Sequence, residues 1–259
     1  MKKVLLLSFL LMYIGLNGQN THSAFEPGEW LKFRMHYGFL NASYATLQVN
    51  SATIEDKQVY HVVGHGETTG VASWFFKVDD TYESYFDKKD GKPYRFVRKI
   101  NEGGYTKDVE INFNYHEANA ELNDKKNKKK LNFTLQDSIQ DLISAFYFLR
   151  NNYEAEDFEE GKAVTLKMLY DDDGVFNFKL KYLGKEILNT KYGKVECLKF
   201  RPYVQSGRVF KEQESLSLWV SNDDNKIPVR IKADLAVGSI KADLDGYNGL
   251  KHQFKIIMD

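Results

Sequence analysis

Apolar and polar residues alternate along most of this chain. An early example places an apolar side chain at every second position: Leu31, Phe33, Met35 and Tyr37. Residues 105–115 repeat the pattern over a longer stretch. Because successive side chains of a strand point to opposite faces, the pattern predicts strands with one solvated face. Similar stretches predict strands near 42–53, 58–67, 80–87, 93–101, 130–135, 162–170, 175–183, 193–202, 213–221, 227–236 and 238–246.

Short polar segments rich in aspartate, asparagine and glycine separate these stretches. Asp90 and Gly91 form one such pair, and residues 171–174 and 221–225 have similar compositions. Links this short favour antiparallel neighbours, because parallel strands need crossovers of about a dozen residues or more. The sequence therefore predicts a mainly β fold, an antiparallel meander that forms a barrel or half-barrel.

One segment, residues 137–151, has apolar residues at helical spacing instead. They are Ile139, Leu142, Ile143, Phe146 and Leu149. Asp137 or Ser138 is available as the N-cap. We expect this long helix to pack on the concave face of the sheet or to plug an incompletely closed barrel. A shorter helix or turn is predicted at 71–76.

The first eighteen residues have the pattern of a cleavable export signal. Lys2 and Lys3 precede an apolar run at 4–16, and a small residue, Gly18, follows. The run is shorter than the roughly 20 apolar residues of a membrane span, although a membrane anchor is the alternative. With no cysteine near the signal's end to carry a lipid, we expect a soluble periplasmic protein whose residues 19–259 form a single β-rich domain.

Composition narrows the class of function. The chain carries 36 basic and 36 acidic residues, and without the two signal lysines 34 basic residues remain. This balance gives no general attraction to nucleic acid. The lone Cys197 excludes an intramolecular disulfide. Aromatic residues make up 14% of the chain, which suits either a packed β core or a cavity for an apolar ligand.

His61, His65 and Glu67 share one face of a predicted strand and are the candidate ligands for a metal ion. Zinc accepts such ligands. However, alternate side chains of a strand are about 6.6–6.8 Å apart, so chelation would need a bend at Gly64 or Gly66, or a ligand from a neighbour such as His36. Ordinary surface or partly buried histidines are the favoured interpretation, and no metal is predicted.

Five lysines lie between positions 125 and 130, where a hairpin turn is expected. A solvated turn is the usual meaning of such a run. The alternative is contact with lipid headgroups through Lys126, Lys128 and Lys129.

Catalytic signatures are missing from the sequence. It has no Gly-x-Ser-x-Gly elbow, no phosphate-binding loop and no dinucleotide-binding glycine pattern. Cys197 has no histidine nearby in sequence, and Asp243 and Asp245 precede Gly246 in a predicted turn, where aspartate is common. We therefore expect neither an enzyme nor a cofactor.

Three stretches resemble the DUF3108 family of exported bacterial proteins of unknown function. They are residues 25–33 (FEPGEWLKF), 141–150 (DLISAFYFLR) and 218–223 (LWVSND) leading into 227–230 (IPVR). The last stretch is also distantly similar to periplasmic lipoprotein carriers. That similarity implies an unclosed antiparallel barrel, capped by helices, around an apolar cavity.

These observations give a leading hypothesis and an alternative. The first is a non-enzymatic periplasmic binding or carrier module for an apolar, lipid-like ligand, contacted by Trp74, Phe146 and Trp219. Trp219 alternates with Leu218 and Val220 and faces either the core or a groove. Arg150 closes the helix, where the helix dipole stabilises a cation. The alternative is a structural or interaction protein of the cell envelope that uses a sheet edge or an aromatic patch.

Overall fold

The computed structural model describes residues 23–38, 40–70, 72–135, 138–204 and 216–258. The predicted export signal at 1–18 and the predicted N-cap Asp137 lie outside these residues. Within them, neither helix has the length and apolar character needed to cross a membrane.

Fifteen strands and two α-helices make up the described fold. The strands are β1 Trp30–Tyr37, β2 Leu40–Ile54, β3 Lys57–Thr68, β4 Asp79–Asp87, β5 Pro93–Glu102, β6 Tyr105–Asn114, β7 Asn119–Asp124, β8 Lys129–Thr134, β9 Ile139–Gln140, β10 Ala163–Met168, β11 Phe176–Thr190, β12 Gly193–Val204, β13 Leu216–Ser221, β14 Pro228–Asp234 and β15 Ser239–Asn248. The helices are α1 Ala72–Phe75 and α2 Leu142–Asn152, and a 3₁₀ turn spans Ala155–Asp157. The predicted mainly β fold is confirmed.

All the described strands belong to one sheet. Its first half runs β1 to β8 in chain order, its second half runs β15 back to β9, and β1 pairs with β15 to join them. Every pairing is antiparallel except that of β9 with β10. The edge strands β8 and β9 do not pair with each other, so the meander forms an open half-barrel. Lys129 Nζ, at the start of β8, reaches to 3.4 Å from Asp172 Oδ2 in the β10–β11 turn.

Antiparallel order sorts the turns to two ends of the sheet. The rim end contains the turns β1–β2, β3–β4, β5–β6, β7–β8, β10–β11 and β14–β15. The basal end contains β2–β3, β4–β5, β6–β7, β11–β12 and β13–β14. Because β9 runs parallel to β10, it points toward the rim end, and α2 then returns toward the basal end.

The helix α2 begins at Leu142, later than the periodicity predicts. Ser138 has a φ of +69°, a left-handed conformation that cannot belong to a right-handed helix, and Ile139 pairs in β9. Asp141 is the N-cap: its side chain accepts from the N–H groups of Ile143 and Ser144, and Ser144 Oγ accepts from the Asp141 N–H. The helix therefore starts where a complete capping box is available.

Two main hydrophobic clusters stabilise the sheet. In the first, α2 packs onto β3–β8, with the Tyr147 ring 4.6 Å from the Phe25 ring and Phe25 4.9 Å from Tyr60. The second cluster joins β1 and β11–β15 and contains Trp219 and Cys197. The predicted helix on the concave face is confirmed, and its second side is left to face β10–β14.

Candidate functional site

An apolar groove lies between α2 and the second half of the sheet. Its volume is about 320 Å³. Thirteen described residues, none with a charged side chain, line it: Leu142, Ala145, Phe146, Leu149, Met168, Tyr170, Phe176, Phe178, Leu180, Pro202, Leu216, Leu218 and Ile231.

The two sides of α2 explain why the groove stays open. Ile143 and Tyr147 are buried in the first cluster, so that side of the helix is held by β3–β8. Phe146 and Leu149 are only half-buried and face the second half of the sheet. Strand β13 supplies the opposite wall through alternate side chains such as Leu218.

A smaller hollow of about 50 Å³ continues the groove toward the basal end. It shares Phe146, Leu149 and Leu218 with the larger one and adds aromatic walls from Tyr153 and Phe158. Arg150 and Lys226 line its far end. Both cations are buried and form ion pairs, Arg150 with Glu29 and Lys226 with Glu154. Neither charge is therefore left for a ligand, and the groove is apolar along its length.

Arg150 forms a buried, two-pronged ion pair with Glu29. The Nη1–Oε1 distance is 2.6 Å and the Nη2–Oε2 distance is 2.7 Å. Arg150 also donates to the carbonyl oxygens of Asn225 at 2.8 Å and Ala24 at 3.3 Å. Burial alone would lower the pKa of Arg150, but the Glu29 carboxylate outweighs burial and raises it. The guanidinium thus ties α2 to the start of β1 and to the β13–β14 turn, a role beyond the predicted dipole effect.

The β13–β14 turn is built to receive α2. Asp223 Oδ1 accepts from the N–H groups of Asn225 and Lys226 and from Ser221 Oγ. Lys226 Nζ donates to the Arg150 carbonyl at 3.1 Å and to Glu154 Oε1 at 2.8 Å. Arg150, in the last turn of α2, therefore contacts the β13–β14 turn through both its side chain and its backbone carbonyl.

The three residues predicted to contact a ligand are not brought together. Phe146 lines the groove. Trp74 is 82% exposed in α1 at the rim end. Trp219 is 5% exposed on the strand face opposite Leu218, and its Nε1 donates to Glu186 Oε2 at 3.1 Å. The groove residues of β10 and β11 carried no separate signal, because their alternation is the same as that of any core strand.

The predicted lysine turn joins β7 to β8 at the rim end. Lys126 Nζ donates to the Thr106 carbonyl at 2.7 Å, and Lys129 pairs with Asp172. Lys128 has a φ of +53°, which places it at the tight point of the turn. Asp172 is two residues beyond Tyr170 of the groove wall, so the lysine turn lies beside the rim-side mouth of the groove.

The histidines weighed as metal ligands pair with carboxylates across neighbouring strands. His61 Nε2 lies 2.9 Å from Glu83 Oε2, and His65 Nε2 lies 3.0 Å from Asp79 Oδ1. In the ranges that the structure describes, no group of three or more potential ligands is arranged for a metal ion.

The thiol and the carboxylates that the sequence offers for catalysis are buried or ion-paired in the fold. Cys197 is buried, and burial raises the pKa of its thiol to about 12, so the nucleophilic thiolate is disfavoured. Asp243 and Asp245 lie within β15, not in the predicted turn. Burial would raise the pKa of Asp243, but Arg230 and His36 lower it below its ordinary value.

The amino-acid sequence matches the model of a known protein family. The family model for "Protein of unknown function (DUF3108)" matches residues 32–245. The chain belongs to the DUF3108 family. A search of curated proteins finds no match.

Among solved structures, a β-barrel-like protein of the domain of unknown function DUF1849 from Brucella abortus shares the DUF3108 chain's fold. Its TM-score is 0.56 at 12% identity, with 86% of this chain and 98% of that chain covered. A protein of the DUF1089 family from Pseudomonas aeruginosa also matches, with a TM-score of 0.38 at 12% identity over 73% of this chain and 88% of that chain. At 12% identity the likeness to the Brucella abortus protein concerns the fold alone.

Proposed function

We propose that this DUF3108 protein is a non-enzymatic periplasmic carrier that binds an acyl chain in the groove between α2 and β10–β14. The observation that carries the proposal is the groove itself, about 320 Å³ lined by uncharged side chains. This volume lies within the range of about 300–1,000 Å³ typical of small-molecule pockets. The export pattern at 1–18 supports the periplasmic address.

The volume and the burial energy agree on the class of ligand. If a methylene takes roughly the 30 Å³ of a liquid water molecule, the groove holds about ten of them. Ten methylenes leaving water gain about 8 kcal/mol. Association costs about 4–15 kcal/mol, so burial alone leaves at most about 4 kcal/mol, which corresponds to millimolar affinity. Contacts with the headgroup at the mouth of the groove must supply the rest.

The groove walls are held in place before any ligand arrives. The capping box fixes the start of α2 and the Arg150–Glu29 pair fixes its end. A preformed cavity lowers the ordering cost of binding. The groove is therefore suited to accept an apolar chain without rearrangement.

A headgroup would lie at the rim-side mouth, beside the lysine turn. The Lys129–Asp172 pair connects that turn to the segment that follows Tyr170. Lys126 and Lys128 are exposed there and are the cations available to an anionic headgroup.

Lipid extraction tests the proposal directly. The full chain, with its own leader, is produced in a Gram-negative host and purified gently, and organic extracts are analysed by mass spectrometry. We expect a stoichiometric acyl species. An empty protein that also fails to bind palmitate would overturn the proposal and favour the envelope interaction protein.

A pair of matched variants places the ligand. Ile231→Glu puts a charge into the groove wall, and Ile187→Glu puts the same charge on an exposed strand position outside it. Ile231→Glu should lose the acyl species because the carboxylate would be buried against it. The control should keep it, and equal retention by both variants would exclude the groove as the binding site.

A further inference from the structure

Exposed apolar side chains gather at the rim end of the half-barrel. Trp74 is 82% exposed, Val237 77% and Leu40 59%. Other large exposed apolar residues in or next to rim turns are Tyr37, Phe76, Tyr105, Val175, Leu235 and Ile240. In the described part of the chain, those at the basal end are Ile187, Ile256, Ile257 and Met258. The asymmetry marks the rim as a contact surface.

Four of the rim turns are tied in pairs, which fixes the side chains that they carry. Tyr37 Oη donates to the Val237 carbonyl at 2.9 Å, which joins the β1–β2 and β14–β15 turns. The Phe76 ring covers Gly103, where a Cβ atom would lie 2.3 Å from the ring. Loops held in this way present their apolar tips at fixed positions.

Cations accompany the apolar tips. Lys126 Nζ lies 5.6 Å from the centre of the Tyr105 ring in the next turn. Lys128 is exposed in the same turn as Lys126. Aromatic rings beside lysines are the composition found at membrane–water interfaces, where the ring enters the headgroup region and the ammonium meets anionic lipid.

The spacing of the tips favours a lipid surface over a protein partner. Trp74, Leu40 and Val237 stand on three different turns, and each is more than half exposed. A protein interface needs a buried, closely packed core. A bilayer surface instead accepts apolar side chains singly at the headgroup–acyl boundary.

We propose that the rim end docks onto an anionic phospholipid bilayer, with Trp74, Leu40 and Val237 entering the headgroup–acyl boundary and Lys126 and Lys128 facing anionic headgroups. The apolar tips of this docking surface lie outside the groove lining, and only Lys126 and Lys128 are shared with the headgroup position of the proposed function. If the groove holds an acyl chain, docking would bring the rim-side mouth to the source of that chain.

Vesicle flotation tests the docking surface with the purified protein that lacks the predicted signal at 1–18. The probe is phosphatidylethanolamine–phosphatidylglycerol vesicles, with phosphatidylcholine vesicles for comparison. The wild type should float with the anionic vesicles, and Trp74 emission should shift to the blue, a shift that Trp74→Phe removes. Trp74→Ser combined with Val237→Ser should weaken binding by about tenfold or more, because both insert apolar surface.

Matched variants separate the rim from general effects. Ile187→Ser combined with Met258→Ser removes two exposed apolar side chains at the basal end and should bind as the wild type. Lys126→Gln combined with Lys128→Gln should reduce the preference for anionic vesicles. Absence of wild-type flotation, or equal binding by the rim and basal variants, overturns the docking surface. Acyl extraction is read separately, so either proposal can fail while the other stands.

Discussion

Removing the guanidinium of Arg150 should strongly destabilise the fold. In Arg150→Met the Glu29 carboxylate stays fully buried without its two charge-assisted hydrogen bonds, which measure 2.6 and 2.7 Å in the native protein. Breaking a buried ion pair by removing one partner costs about 3–5 kcal/mol. The carbonyls of Ala24 and Asn225 also lose a donor, at about 1 kcal/mol each.

Urea unfolding, monitored by tryptophan fluorescence, measures the loss of unfolding free energy in Arg150→Met. We expect the dependence of the unfolding free energy on urea (the m value) to stay the same and the urea concentration at the midpoint to fall. In a chain of this size each kcal/mol lowers Tm by about 2–4 °C, so in a thermal melt the Tm of Arg150→Met should fall by about 10–28 °C.

A double-mutant cycle isolates the pair. Glu29→Leu combined with Arg150→Met removes both charges and should be more stable than Arg150→Met alone, because no carboxylate is left buried without a partner. The reasoning is refuted if Arg150→Met lies within about 1 kcal/mol of the wild type, or if the double variant is no more stable than Arg150→Met.

Three further predictions concern single positions. Burial raises the pKa of Asp141 from 3.8 to about 6, so the folded state binds more protons between those values and stability falls as pH rises through them, by about 3 kcal/mol. In the native protein Ser84 Oγ donates to Asp141 Oδ2 at 2.6 Å. Asp141→Asn keeps an acceptor for the helix N–H groups and reverses the Ser84 bond, with the amide donating to Oγ, and it should flatten this part of the pH profile. Gly249→Ala should cost about 2–4 kcal/mol, because φ is +62° and a Cβ would lie 2.3 Å from the Gly28 carbonyl oxygen. Lys129→Ala, which breaks an exposed ion pair, should cost less than about 1 kcal/mol. Urea unfolding measures all three, for Asp141→Asn across pH 4 to 7.

Each of these has a result that would contradict it. An Asp141→Asn profile as steep as the wild type would show that another group titrates. Gly70→Ala is the control for Gly249→Ala, since Gly70 has a similar φ of +59° and open space around it. Equal costs would mean that the Gly28 contact contributes nothing. A loss above about 2 kcal/mol in Lys129→Ala would give the edge of β8 a larger role in closing the barrel than an exposed pair allows.

The sheet was predictable because most of its strands alternate buried and more exposed side chains. The start of α2 was not predictable. The helical spacing of apolar residues extends back to Ile139, but Ser138 is left-handed and the helix is capped only at Asp141. Sequence spacing does not report φ. A complete capping box at Asp141 and Ser144, just before the apolar run, was the local signal for the true start.

Trp219 shows a second limit of pattern reasoning. Leu218, Trp219 and Val220 are all apolar, so alternation cannot assign a face to any of them. In the fold both faces of β13 are covered: Leu218 faces the groove and Trp219 the cluster around Cys197. The partner of Arg150 was equally hidden, since Glu29 is 121 positions away in sequence.

The stretches that carry the family resemblance meet around Arg150, which links their role in the fold to the groove. The first contributes Glu29, the second Arg150, and Asn225 lies in the turn that joins the two parts of the third. The Arg150 guanidinium also stacks 5.3 Å from the Phe146 ring on the groove side. If this network sets the width of the groove, Arg150→Met should lose acyl binding together with stability, whereas Ile231→Glu should lose binding with little change in unfolding. Full acyl binding by Arg150→Met would instead show that the capping box and the Tyr147 side of α2 are sufficient to hold the groove open.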